Sequence, residues 1–193
     1  MKKLIYKSIQ GSECPSNQDT VAVIESNAYT VHGVFDGSSS RANSGAFVNG
    51  IVDRLEFEFE ESSLKDCSYS DVIPTAIKCV NAARKLLAYK YPAAGCSFVL
   101  LVDITGHPFT YTIWAGDCRL GVIGKKRTTW KTSPHLLKTC LSQNTLTNCL
   151  LAKRPCHPSG MVMARTKALI TLVSDGEWKQ RSNDDATALV LAP

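Results

Sequence analysis

Val31-His32-Gly33-Val34-Phe35-Asp36-Gly37 is an apolar, β-type run that ends abruptly in a carboxylate and a glycine. The same ending recurs in Ile113-Trp114-Ala115-Gly116-Asp117 and in Ile170-Thr171-Leu172-Val173-Ser174-Asp175-Gly176, while Asn183-Asp184-Asp185-Ala186-Thr187 sets two aspartates before the last apolar run. One Asp-Gly pair alone reads as a turn, because both residues favour turns for local hydrogen-bonding and φ reasons. Four sets of aspartates at strand edges read better as a site. A carboxylate leaving the core at a strand end is fixed by a rigid scaffold yet reaches a shared crevice. Carboxylates gathered there repel one another, and hard cations such as Mg2+ or Mn2+, which prefer oxygen ligands, relieve the repulsion. Glycine after Asp36 lets the backbone carbonyl approach a metal closely.

Working outward, residues 20–24 and 29–35 flank the turn-prone Glu25-Ser26-Asn27-Ala28 and predict a hairpin. Three serines after Gly37 offer an N-cap for a helix reaching about Glu60, with Ala46, Phe47, Gly50, Ile51, Leu55 and Phe57 as its apolar positions. A second helix is expected with Ser70 as cap, Pro74 in its first turn and Ile73, Ile77, Val80, Leu86 and Leu87 on one face. Residues 97–104, 109–115 and 119–123 predict a meander of three antiparallel strands. Residues 125–165 mix periodicities and predict a long excursion with a short helix at residues 136–141. The chain then predicts a strand at 168–173, a loop from Ser174 to Asp185 and a hairpin partner at 186–191. Strands, two consecutive helices, then strands again point to an α+β fold with antiparallel sheets and segregated helices.

The 193 residues, 44% of them hydrophobic, fit one domain over 1–193 with a core that needs no disulfide. A net charge of +5 suits phosphorylated or acidic partners, and the basic run Lys125, Lys126, Arg127, Lys131 and Lys138 has no aromatic platform beside it, so nucleic acid is not expected as a partner. Lys7 and the polar residues after it interrupt any export signal, and no apolar window is long enough to cross a membrane. Eight scattered cysteines fit a reducing, cytoplasmic setting. Neither zinc-type cysteine spacing nor a Cys-x5-Arg loop occurs.

These motifs, in this order, resemble the type 2C metal-dependent serine/threonine protein phosphatases over nearly the whole chain. Asn17-Gln18-Asp19 is similar to the family's Asn-Glu/Gln-Asp, and Gly95-Cys96-Ser97 to its Gly-x-Ser/Thr strand entry. Gly116-Asp117-Cys118-Arg119 is similar to Gly-Asp-Ser-Arg, Ser174-Asp175-Gly176 with Trp178 to Ser-Asp-Gly-x-Trp, and Asp184-Asp185-Ala186-Thr187 to Asp-Asn/Asp-x-Thr. The resemblance implies a compact bacterial-type member: a four-layer αββα sandwich of two antiparallel sheets flanked by helices, with two divalent cations (Mn2+ or Mg2+) at one end. It implies that Asp36 bridges both ions, that Gly37 offers its carbonyl, and that Asp175 and Asp184 complete a shell, the three aspartates acting through metal-bound water. Asp117 would join a weaker third ion, and Gln18 and Asp19 would hold metal-bound waters. Two metals clamp a phosphoryl group during in-line attack, so no protein nucleophile is required.

The chain departs from the family at Cys14, where many members carry a phosphate-clamping arginine, and at Ser38, where some carry a histidine. Arg41 is the candidate replacement, since a guanidinium matches phosphate in two contacts. His32, between Val31 and Val34, reads as a core histidine, and Trp114 and Trp178 as packing. The leading expectation is hydrolysis of phosphoserine or phosphothreonine on a protein substrate paired with a serine/threonine kinase. The alternatives are a pseudophosphatase that binds a phosphoprotein or partner without turnover, and a small-molecule phosphatase.

Overall fold

Ten consecutive buried residues form one strand, Gly95–Ile104, and a strand covered on both faces has to lie at the centre of a layered fold. In the computed structural model, which describes residues 4–137, 145–180 and 183–192, that strand is β4. It follows β1 (Leu4–Ile9), β2 (Asp19–Glu25), β3 (Tyr29–Gly37), α1 (Ser44–Glu60) and α2 (Val72–Leu87). After it come β5 (Phe109–Ala115), β6 (Arg119–Ile123), β7 (Thr128–Trp130), β8 (Leu136–Leu137), β9 (Thr145–Leu146), β10 (Leu150–Leu151) and β11 (Ser159–Ala164). The chain closes with β12 (Leu169–Val173), α3 (Asp175–Lys179) and β13 (Ala186–Leu191).

Apart from β8 and β9, which pair only with each other, the strands form two antiparallel sheets. One runs β1-β13-β12-β6-β7; the other runs β11-β5-β4-β3-β2, with β10 added against β4. Val34, Val99, Leu101, Trp114, Leu120, Leu172 and Leu189 meet between the sheets. The opposite face of the six-stranded sheet packs Phe35, Phe98, Leu100, Tyr111 and Ile113 against the helices. There α1 presents Phe47, Ile51, Leu55 and Phe59, spaced at four residues, and α2 presents Val72, Ala76, Val80 and Ala83. Each large side chain so buried contributes about 1.5–3 kcal/mol relative to exposure. The fold is α+β, as expected; both long helices lie on the six-stranded sheet, and the short α3 adjoins β13 of the other. In β13 only Thr187, Leu189 and Leu191 are buried, the alternation of a strand covered on one face.

The structure corrects several local expectations. Residues 97–123 are not a single meander: β5 pairs with β4, but β6 crosses to the other sheet and pairs with β12. The crossing is made at Gly116, whose φ of +89° reverses the chain in a conformation that favours glycine. The first helix begins at Ser44 after a left-handed Asn43, not at the three serines, and the second is preceded by Asp71 rather than Ser70. The Ser70 hydroxyl instead pairs with that of Ser68, which also donates to Asp71. Leu136–Leu137 is a strand paired with Thr145–Leu146, not part of a helix; the rest of that expected helix, 138–141, lies outside the described residues. The segment 174–185 contains α3. Residues 4–9, read as an interrupted apolar stretch, form the edge strand β1.

Candidate functional site

Strand pairing brings the carboxylates together. Asp36 leaves β3 at the end of the six-stranded sheet, directly opposite Asp19 on β2 and Ser97 on β4. The next residue, Gly37, donates its N–H to the Gln18 carbonyl at 3.3 Å. A Cβ there would lie 2.8 Å from that same oxygen, so only glycine fits.

Asp117 arrives from the crossing turn. A Cβ on Gly116 would collide with Ser97, and this close approach lets the Ser97 hydroxyl donate to Asp117 Oδ1 at 2.8 Å while accepting the Asp117 N–H at 3.3 Å. Asp175 opens α3. The preceding Ser174 donates its N–H to the Thr187 carbonyl and accepts the Thr187 N–H on its hydroxyl, both at 2.9 Å, which ties the ends of β12 and β13 together. Asp184 comes from the loop before β13. Its neighbour Asp185 accepts the Gly11 N–H at 2.9 Å and the Gln18 N–H at 2.7 Å, fastening that loop to the segment that carries Gln18 and Asp19.

The result is a cleft of about 390 Å3 lined by Asp36, Asp117, Asp175, Asp184, Arg41 and Lys179. Gly37 and the three serines Ser38, Ser39 and Ser40 form one wall, and Thr145, Leu146 and Cys149 another. Carboxylate oxygens of Asp36, Asp117 and Asp175 all lie within 4.8 Å of one another, a spacing that suits a shared cation. Gln18 and Asp19 do not line the cleft. They stand behind Asp36 and Gly37, with Gln18 Oε1 and both Asp19 oxygens buried and without a well-formed hydrogen bond.

Crowding shows in the electrostatics. Burial raises the Asp36 carboxyl well above the ordinary range, and the charges of Asp19, Asp175, Asp117 and Asp184 push it further. Burial raises Asp19 to about 7, with the charges of Asp185 and Asp175 adding to the rise and the nearby Ser174 and Thr187 hydroxyls tempering it. Asp175 is also raised, first by burial and then by Asp117, with Lys179 opposing. Asp36 and Asp19 have no cationic side chain paired with them among the described residues, and the unsatisfied oxygens of Gln18 and Asp19 lack donors; a divalent cation with its waters would supply both.

No protein-family model and no curated protein matches the sequence. Solved structures do match. The serine/threonine phosphatase Stp1 from Staphylococcus aureus superposes with a TM-score of 0.82 at 15% identity, over 100% of this chain and 95% of that one. The S. agalactiae serine/threonine phosphatase gives 0.81 at 16%, over 100% and 99% of the two chains. The Mycobacterium tuberculosis serine/threonine phosphatase PstP/Ppp gives 0.77 at 14%, over 99% and 98%. The fold is the type 2C phosphatase fold.

Within this phosphatase fold the residues singled out in the sequence fall into three groups. Asp36, Gly37, Asp117, Asp175, Asp184 and Arg41 share the cleft, and Gln18 and Asp19 back it. Cys14 lies apart, its thiol directed at the Asn183 carbonyl 3.9 Å away. His32 is buried between the sheets, two inward-facing positions along β3 from Asp36. Trp114 packs between the sheets, and Trp178 donates its indole N–H to the Asp117 carbonyl at 2.9 Å. Three residues were not foreseen: Ser97 and Asp185 as hydrogen-bonding supports, and Lys179 in the cleft. The signal for Lys179 is its four-residue spacing from Asp175, which means proximity only once that segment is known to be helical.

Proposed function

We propose that this chain is a metal-dependent phosphohydrolase acting on phosphoserine or phosphothreonine in proteins, opposite a serine/threonine kinase. The observation that carries the reading is the convergence of the Asp36, Asp175 and Asp184 carboxylates in one cleft of a type 2C phosphatase fold. The neighbours with this fold are described as serine/threonine phosphatases, which supports the substrate class. Among the described residues no helix is long and apolar enough to cross a membrane.

In this reading Asp36, Asp175 and Asp184, with the Gly37 carbonyl, hold Mn2+ or Mg2+. Such cations acidify a water and offset the charge of the phosphoryl oxygens. The chain's own contribution is placement. Gln18 Oε1 and the Asp19 carboxylate are acceptors that orient water on the inner side of the cleft. Arg41 reaches the opposite rim, with a guanidinium N–H donating to the Ala93 carbonyl at 3.4 Å, and the rest of its donor fork is available for a phosphate. The serine wall and the β9 side chains narrow the entrance around the phosphoryl group.

Phosphate release from matched phosphothreonine, phosphotyrosine and p-nitrophenyl phosphate substrates, each with Mn2+ and with EDTA, tests this reading. Metal-dependent turnover that favours the phosphothreonine peptide supports it. Turnover of the small ester alone would reassign the substrate to small molecules, and binding of the phosphopeptide without turnover would make the protein a pseudophosphatase.

A further inference from the structure

Asp117 differs from the other carboxylates of the cleft in that both of its carboxylate oxygens already accept a hydrogen bond from a protein side chain. Its Oδ1 takes the Ser97 hydroxyl at 2.8 Å, its Oδ2 takes Lys179 Nζ at 2.9 Å, and its carbonyl takes the Trp178 indole N–H at 2.9 Å. The same ammonium donates to Asp175 Oδ2 at 2.5 Å, so it bridges two of the three clustered carboxylates. By contrast, no hydrogen bond to the Asp36 carboxylate is found among the described residues.

Lys179 is held for this position. It lies one helical turn after Asp175, its side chain is 11% exposed, and its ammonium sits 5.1 Å from the centre of the Trp178 ring. That ring also faces the Arg119 guanidinium at 4.9 Å, and Arg119 lies over Trp130 as well, so the indole that steadies Lys179 is itself clamped.

We propose that Lys179 is a tethered cation that occupies the Asp117 side of the cleft, so that Asp117 is a partner of lysine and not a metal ligand. The proposal rests on the reading of the cleft as a divalent-cation site. The Lys179 ammonium lies within 3 Å of both Asp117 Oδ2 and Asp175 Oδ2, where it takes the place a dication would need between those oxygens and would repel one at contact distance. The ammonium is covalently attached and cannot diffuse away. Asp175 Oδ1 accepts no hydrogen bond among the described residues and is left for an ion, whereas both Asp117 oxygens already have a donor. The chain therefore holds one ion fewer than its carboxylates would bind without the lysine, and the further ion implied at Asp117 by family resemblance is replaced by a side chain.

The test is Mn2+ binding to the metal-stripped full chain, read as ions bound per chain by equilibrium dialysis and calorimetry. Lys179→Met is expected to bind one more Mn2+ than wild type, and Lys179→Arg, which retains a cation, to match wild type. Asp117→Asn with Lys179 intact is expected to leave the wild-type count unchanged, and this arm stands even where Lys179→Met fails to fold. Loss of one ion in Asp117→Asn, or equal counts in wild type and folded Lys179→Met, would overturn the proposal while leaving the metal site standing. A wild-type chain that binds no Mn2+ would overturn both.

Discussion

Asp19 and Asp36 are direct partners across the β2–β3 pair, so two carboxylates project from one rung of the sheet at the same end of the sandwich. Neighbours on a rung lie about 5 Å apart, and neither Asp19 oxygen has a well-formed hydrogen bond to offset the repulsion. A fold that sets like charges face to face is arranged for something to come between them.

The metal-free protein should lose stability as pH rises. Asp19 is raised to about 7, and Asp36 well above its ordinary value, both mainly by burial. A carboxyl whose folded pKa exceeds its unfolded value binds more protons when folded, so stability falls as pH climbs from the unfolded value through the folded one. Thermal melts in EDTA should show a midpoint that declines by several degrees between pH 5 and pH 8. Asp19→Asn should flatten the decline, and Mn2+ should reverse it at pH 8. A midpoint that rises over this range in EDTA contradicts the burial of these groups.

Asp185→Ala should destabilise the fold by about 3 kcal/mol, because it leaves the Gly11 and Gln18 N–H groups without the charged acceptor that each now has. Urea unfolding measures it. A loss below about 1 kcal/mol would mean that the loop before β13 is held by other contacts.

Gly116→Ala forces a side chain onto a residue with φ +89° and into Ser97. A cost of about 2 kcal/mol or more is expected, from strain and from a displaced Ser97–Asp117 pair. Ser97→Ala breaks the pair without strain and should cost less in the same unfolding experiment.

Arg41→Ala should raise the KM for a phosphopeptide roughly tenfold, the loss of a charge-assisted hydrogen bond of about 1.4 kcal/mol, with a smaller change in kcat. An unchanged KM would remove Arg41 as the substitute for the missing arginine at Cys14.

Much of the architecture is legible in the residues. The ends of β3, β5 and β12 follow from apolar runs cut off by Asp and Gly, and the carboxylates at those ends, Asp36, Asp117 and Asp175, do meet in the cleft. What escapes is non-local or too short to have a period. β1 hides because Leu4, Ile5 and Tyr6 on the sheet edge are all exposed, so burial imposes no alternation. The passage of β6 to the other sheet hides because a Gly-Asp turn looks the same whether it joins neighbours or changes layers. α3 spans five residues, too few to show helical periodicity, and with it Lys179 goes unread as a member of the cleft.

The most direct measurement of the central claim is phosphate release from a phosphothreonine peptide as Mn2+ is titrated into metal-stripped protein, for wild type, Asp36→Asn and Asp175→Asn, each first shown to be folded. The account predicts saturable, Mn2+-dependent turnover in wild type, abolished by EDTA and lost in both variants at every Mn2+ concentration. Turnover that survives EDTA, or that persists in folded Asp36→Asn, would contradict it.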